Sequence, residues 1–161
     1  MKYTTTTYPD YINEVSEVIG GKRYNDCTAI RKANKDYQRG DQELEIDILG
    51  VKGELIASHY LFSKNTEHHL NKLAGGKPIS DYDILVNGKK VDVKAIPHYG
   101  RFLIVTVMAH HKKPMDYYMF VKPSQNNTAD IWLIDYEEVG KWNKKFLGYG
   151  DVYCKTINSL T

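Results

Sequence analysis

The stretch SDYDILVNGKKVDVKA, Ser80 to Ala95, decides how the chain is read. Asn87-Gly88 between apolar runs is the strongest local signal for a two-residue hairpin turn, because both turn positions need a positive φ. Such a turn sets the register: Val86 faces Lys89, Leu85 faces Lys90, Ile84 faces Val91, Asp83 faces Asp92 and Asp81 faces Lys94. Side chains alternate by two along a strand. Asp81, Asp83, Asp92 and Lys94 are therefore expected on one face, with Ile84, Val91 and Val93 on the other.

Two aspartates directly opposite one another repel, and a hairpin selected for stability alone would not keep them. A hard divalent ion, Mg²⁺ or Mn²⁺, resolves the conflict because it takes oxygen ligands and accepts two carboxylates. Lys94, two residues beyond Asp92, brings an ammonium to the same place. Metal and lysine together suit phosphodiester cleavage, in which charge builds on the phosphate oxygens and a water must be activated.

Before this hairpin the apolar period is helical. Tyr8, Tyr11, Ile12, Val15, Val18 and Ile19 recur at threes and fours between a threonine run that offers N-caps and Gly20-Gly21, predicting a first helix over that span. Thr28 to Arg39 carries Arg31, Lys32, Lys35 and Arg39 and is either a surface helix or a basic loop. From Gln42 the positions Leu44, Ile48, Leu49, Val51, Leu55, Ile56, Tyr60 and Leu61 predict a helix ending near Phe62, with Gly50 and Gly53 as weak points. Gly75, Gly76 and Pro78 mark a loop.

After the loop the runs Asp83 to Val86, Lys90 to Ile96, Arg101 to Met108, Tyr117 to Val121 and Ile131 to Ile134 predict a sheet of about four or five strands. Tyr136 to Trp142 reads as a short helix, and the tail from Gly148 as a further strand.

With 161 residues, 42% hydrophobic and 26% charged, the chain is expected to fold as one domain around one core. No apolar run is long enough to span a bilayer, and MKYTTTTYPDY lacks the apolar core of a secretory signal, so an intracellular location without a membrane partner is expected. Cys27 and Cys154 lack CxxC spacing and are expected as reduced thiols, one disulfide between them being the alternative. A net charge of +2 does not announce nucleic acid by itself. The six histidines show no HExxH pattern, and the GxxxxGK[ST] and GxSxG motifs are absent.

An acid on one strand, followed on the next by Asp92-Val93-Lys94, resembles the signature of the PD-(D/E)XK nuclease superfamily, with Asp83 in the place of the first acid. Gly50-Val-Lys-Gly-Glu54 is similar to the glutamate-bearing helix that precedes the hairpin in that family. The resemblance covers roughly Gly50 to Glu138. It implies a mixed α/β (α+β) fold with a restriction-endonuclease-like α-β-β-β-α-β core over residues 42–138, an added N-terminal helical segment over 1–41 and a C-terminal extension over 139–161. It further implies a Mg²⁺- or Mn²⁺-dependent deoxyribonuclease, an endonuclease in preference to an exonuclease, with Asp83, Asp92, Lys94 and Glu54 as catalytic residues and Glu54, Asp83 and Asp92 as metal ligands. The chain departs from the pattern in having no proline directly before Asp83 and no clear long helix before Tyr117.

DNA is the expected partner, with His98, Tyr99, Arg101, Lys112 and Lys113 as candidate contacts, the last two in the basic run His110 to Lys113. A homodimer would match the two-fold symmetry of duplex DNA. The alternative is a catalytically inactive nuclease-like module for nucleic-acid binding or assembly.

Overall fold

In the computed structural model, which describes residues 1–33, 42–71, 73 and 82–159, the threonine-rich opening is a strand. β1 (Lys2–Thr7) pairs antiparallel with β7 (Thr128–Asp135), Thr4 opposite Ile131 and Thr6 opposite Ala129. Consecutive β-branched residues favour this pleated edge over helix caps, so the N-terminal segment is not wholly helical as expected.

The first helix, α1 (Tyr11–Ala33), also runs well past Gly20-Gly21. Gly20 serves a different purpose from a helix stop. A Cβ there would lie 2.5 Å from Ile48 Cα, so glycine is what lets α1 cross α2 (Glu43–Ser63) backbone to backbone. The side chains of residues 29–33, and residues 34–41 entirely, lie outside what is described, as does most of the basic stretch up to Arg39.

Helix α2 is continuous through Gly50 and Gly53. A Cβ on Gly53 would stand 2.8 Å from Ala95 Cβ, so the residue that weakens the helix locally permits its close seat on the sheet.

Six strands form the main sheet in the order β1-β7-β6-β4-β3-β2, built from β2 (His68–Leu70), β3 (Ile84–Val86), β4 (Lys89–Ala95) and β6 (Tyr117–Pro123) besides β1 and β7. β2, β3 and β4 are antiparallel neighbours, whereas β4 and β6 run parallel, Asp92 beside Tyr118 and Lys94 beside Phe120. The parallel pair demands a crossover, which is supplied by β5 (Phe102–Thr106) and α3 (Val107–Lys112). The run expected as the next strand of the main sheet, Arg101 to Met108, is thus shorter and belongs elsewhere. β5 joins β9 (Asp151–Thr156) and β8 (Asn143–Phe146) in a separate three-stranded sheet. A short α4 (Tyr136–Val139) follows β7.

The main sheet is covered on both faces. Ile84, Val91 and Val93 pack with Ile56, Ala57 and Leu61 of α2 in one core. Ile96, Tyr118, Phe120, Trp132 and Ile134 pack with Leu103, Val105 and Tyr153 of the smaller sheet in the other. Alternation along β4 therefore sends Val91, Val93 and Ala95 to the helices and Asp92, Lys94 and Ile96 to the opposite face. Cys27 and Cys154 are free thiols. Among the described residues no helix is long and apolar enough to cross a membrane.

Candidate functional site: an acidic centre at the β3–β4 hairpin

The Asn87-Gly88 turn forms with both residues at positive φ, 48° and 77°. Pairing follows the expected register through Val86–Lys89, Leu85–Lys90 and Ile84–Val91. There it changes. Asp83 N donates to Val91 O at 3.0 Å, so Asp83 and Ile84 together oppose Val91. Two residues against one is a bulge, and a bulge re-aims the side chain that carries it. Asp83 consequently does not form the direct cross-strand pair with Asp92. Its carboxylate instead turns onto β4 and accepts the Val93 N–H at 2.7 Å. Asp81, expected opposite Lys94, lies outside the described residues.

Asp83, Asp92 and Glu54 remain within electrostatic reach of one another. Desolvation, then the charges of Asp92 and Glu54, push the Asp83 carboxyl from its ordinary 3.8 up to about 7, against the opposing pull of the Val93 amide and Lys94. Lys94 Nζ sits 2.5 Å from Asp92 Oδ2.

Glu54, only 6% exposed on α2, is met by a residue that the sequence reading passed over. Arg23 of α1 donates Nη1 to Oε1 at 2.9 Å and Nη2 to Oε2 at 3.0 Å, a two-pronged pair. Arg23 Nε donates to Leu73 O as well. Burial raises the Glu54 carboxyl above its usual range in spite of Arg23. Burial would lower Arg23, but Glu54 outweighs it and raises the guanidinium, with Asp83 and Asp47 adding to the pull. One signal for this contact was present: Asp47, Gly50 and Glu54, spaced i, i+3, i+7, put two acids on one face of the helix on either side of a residue without a side chain.

Asp92 and Lys94 open onto a cavity of about 260 Å³, also lined by Tyr118 and by Met108, Lys112 and Lys113 at the crossover helix. Of the candidate DNA contacts, Lys112 and Lys113 thus stand beside the acid and lysine. His98, Tyr99 and Arg101 lie on the β4–β5 loop and do not line this cavity. His110, read with the basic run, is buried. Its ring stacks on Tyr136 at 3.9 Å, and its Nδ1 is 3.2 Å from the Tyr118 hydroxyl.

The donor chemistry suits a hard divalent cation, since a carboxyl held near 7 by burial and then by two neighbouring carboxylates gains from added positive charge. Among the described residues, however, no three His, Cys, Asp or Glu side chains come together as a finished ligand set. With Glu54 paired to Arg23, Asp83 and Asp92 would be the carboxylates to hold such an ion. No protein-family model matches the sequence, and no curated protein matches it.

Proposed function

We propose that the chain is a metal-dependent nuclease of the PD-(D/E)XK type that hydrolyses DNA phosphodiester bonds, with endonucleolytic cleavage favoured. The observation that carries this reading is the bulged Asp83, whose carboxyl is held up to about 7 by burial and then by the charges of Asp92 and Glu54, beside an Asp92–Lys94 pair that opens onto a cavity walled by Lys112 and Lys113. Perturbed carboxyls of this kind concentrate at functional sites. The order α2, β2, β3, β4, β5, α3, β6 puts three antiparallel strands and then a parallel one in the main sheet, which is compatible with a restriction-endonuclease-like core into whose crossover β5 is inserted.

In this reading Asp83 and Asp92 would hold Mg²⁺ or Mn²⁺. The ion supplies Lewis-acid stabilisation of charge on the phosphate oxygens. Lys94 exchanges its contact with Asp92 for the phosphate, where its ammonium opposes the charge that develops in the transition state. Lys112 and Lys113 hold the flanking backbone by charge without reading bases. Tyr118, beneath the cavity and tied to His110, keeps its floor rigid and its hydroxyl protonated, since burial and then Asp92 push that hydroxyl well above 10.

A second reading is a catalytically idle nucleic-acid-binding module. It is favoured by the fact that Arg23 and Lys94 already neutralise two of the three acids. Plasmid, linear duplex and single-stranded DNA incubated with Mg²⁺, Ca²⁺ or EDTA distinguish the two. A nuclease cuts in Mg²⁺, binds without appreciable turnover in Ca²⁺ and is silent in EDTA, and Asp92→Ala and Lys94→Ala abolish cutting while the far-UV spectrum is unchanged. Retardation without cleavage under every condition, or wild-type rates in either variant, would refute the nuclease reading.

A further inference from the structure

The Arg23–Glu54 pair is built, not incidental. Gly20 brings α1 onto α2 at Ile48, and Arg23 follows three residues later. Its guanidinium enters over Gly50, where even a Cβ would come within 3.3 Å of Nη1. Both oxygens of Glu54 are taken, and Leu73 O fixes the third side of the fork. The Glu54 side chain is 8% and that of Arg23 19% exposed. Arginine stays protonated throughout the working pH range, so no titration of the cation releases the pair. Separating such a half-buried pair leaves a charge without its partner, which is strongly unfavourable.

From this geometry we propose that Arg23 is a built-in counter-cation of the acidic centre: it occupies Glu54 and withholds that carboxylate from the metal ion, which Asp83 and Asp92 hold without it. The inference rests on the metal-dependent reading above and narrows its ligand set. Glu54 acts at a distance, as a positioning residue whose charge is balanced in large part by Arg23. It still holds α1 against α2 at the edge of the site.

Direct binding of Mn²⁺ to the full chain, measured by titration calorimetry and by electron paramagnetic resonance of the free ion, tests this in four proteins: wild type, Arg23→Gln, Glu54→Gln and the double variant. Arg23→Gln frees a carboxylate and should tighten Mn²⁺ binding about tenfold, the scale of one unit charge gained near a divalent ion in a partly hydrated site. Glu54→Gln leaves Arg23 unpaired and should weaken binding by a similar factor. The double variant restores the net charge and retains a hydrogen-bonded pair of amides, so it should fold and bind within about twofold of wild type. A double variant that binds tenfold more weakly than wild type would make Glu54 a ligand and overturn the proposal, as would an Arg23→Gln protein that binds no more tightly. Silence in all four proteins would instead overturn the metal-dependent reading itself.

Discussion

Replacing Asp83 by Asn removes the charge at the centre of the site while keeping an oxygen that can accept the Val93 N–H. The Asp83 carboxyl is raised from 3.8 to about 7 in the folded chain, so the folded state keeps a proton that the unfolded state gives up. Stability without metal should therefore fall as pH rises from about 4 through about 7, and then level off. At ~1.4 kcal/mol for each unit between the two values, the full cost of ionising Asp83 in the fold is about 4 kcal/mol. Asp83→Asn should match wild type below about pH 4, where Asp83 is neutral in the folded and the unfolded chain alike. Near pH 8.5 it should be the more stable protein by about 1–4 kcal/mol, or roughly 3–12 °C in Tm for a domain of this size. Urea and thermal unfolding of EDTA-treated protein from about pH 3.5 to about 8.5 measures this, and saturating Mg²⁺ should reduce the difference. A variant less stable than wild type at pH 8.5, or a constant difference across the range, would refute the reasoning.

Gly53→Ala should destabilise the chain, because its methyl would meet Ala95 Cβ at 2.8 Å. Overpacking of this kind costs about 1–3 kcal/mol, partly offset by about 1 kcal/mol of helix propensity. Pairing it with Ala95→Gly should recover most of the loss in urea unfolding, and no recovery would remove the close-approach explanation. Lys112→Ala and Lys113→Ala should each weaken DNA binding alike across sequences and reduce the slope of log affinity against log salt by about 1, as read by fluorescence anisotropy. An unchanged slope would take these lysines off the phosphate path.

The hairpin was legible because Asn87-Gly88 sets its register locally, and α2 was legible because its apolar stripe survives two glycines. The bulge at Asp83 was not. A one-residue offset leaves the alternation of Ile84, Val91 and Val93 intact and shifts only the residue outside it. Arg23 escaped notice for a related reason: Gly20-Gly21 reads as a helix end when only the local chain is considered, and its role at the Ile48 crossing exists only after α2 is in place. β1 and β8 are edge strands with little or no buried stripe, so their sequences carry no strong period. His110 looked like part of a solvated basic run, yet the neighbouring Tyr136 and Tyr118 enclose it. Long-range packing, not local propensity, decided each of these.

The metal centre itself is tested most directly by anomalous diffraction from a crystal of the chain soaked in Mn²⁺ at neutral to slightly alkaline pH. A single strong peak is expected at the β3–β4 hairpin, about 2.2 Å from a carboxylate oxygen of each of Asp83 and Asp92, with Glu54 still paired to Arg23. A crystal with Mn²⁺ bound elsewhere on the protein, or with none at these two carboxylates while they remain ionised, would contradict it.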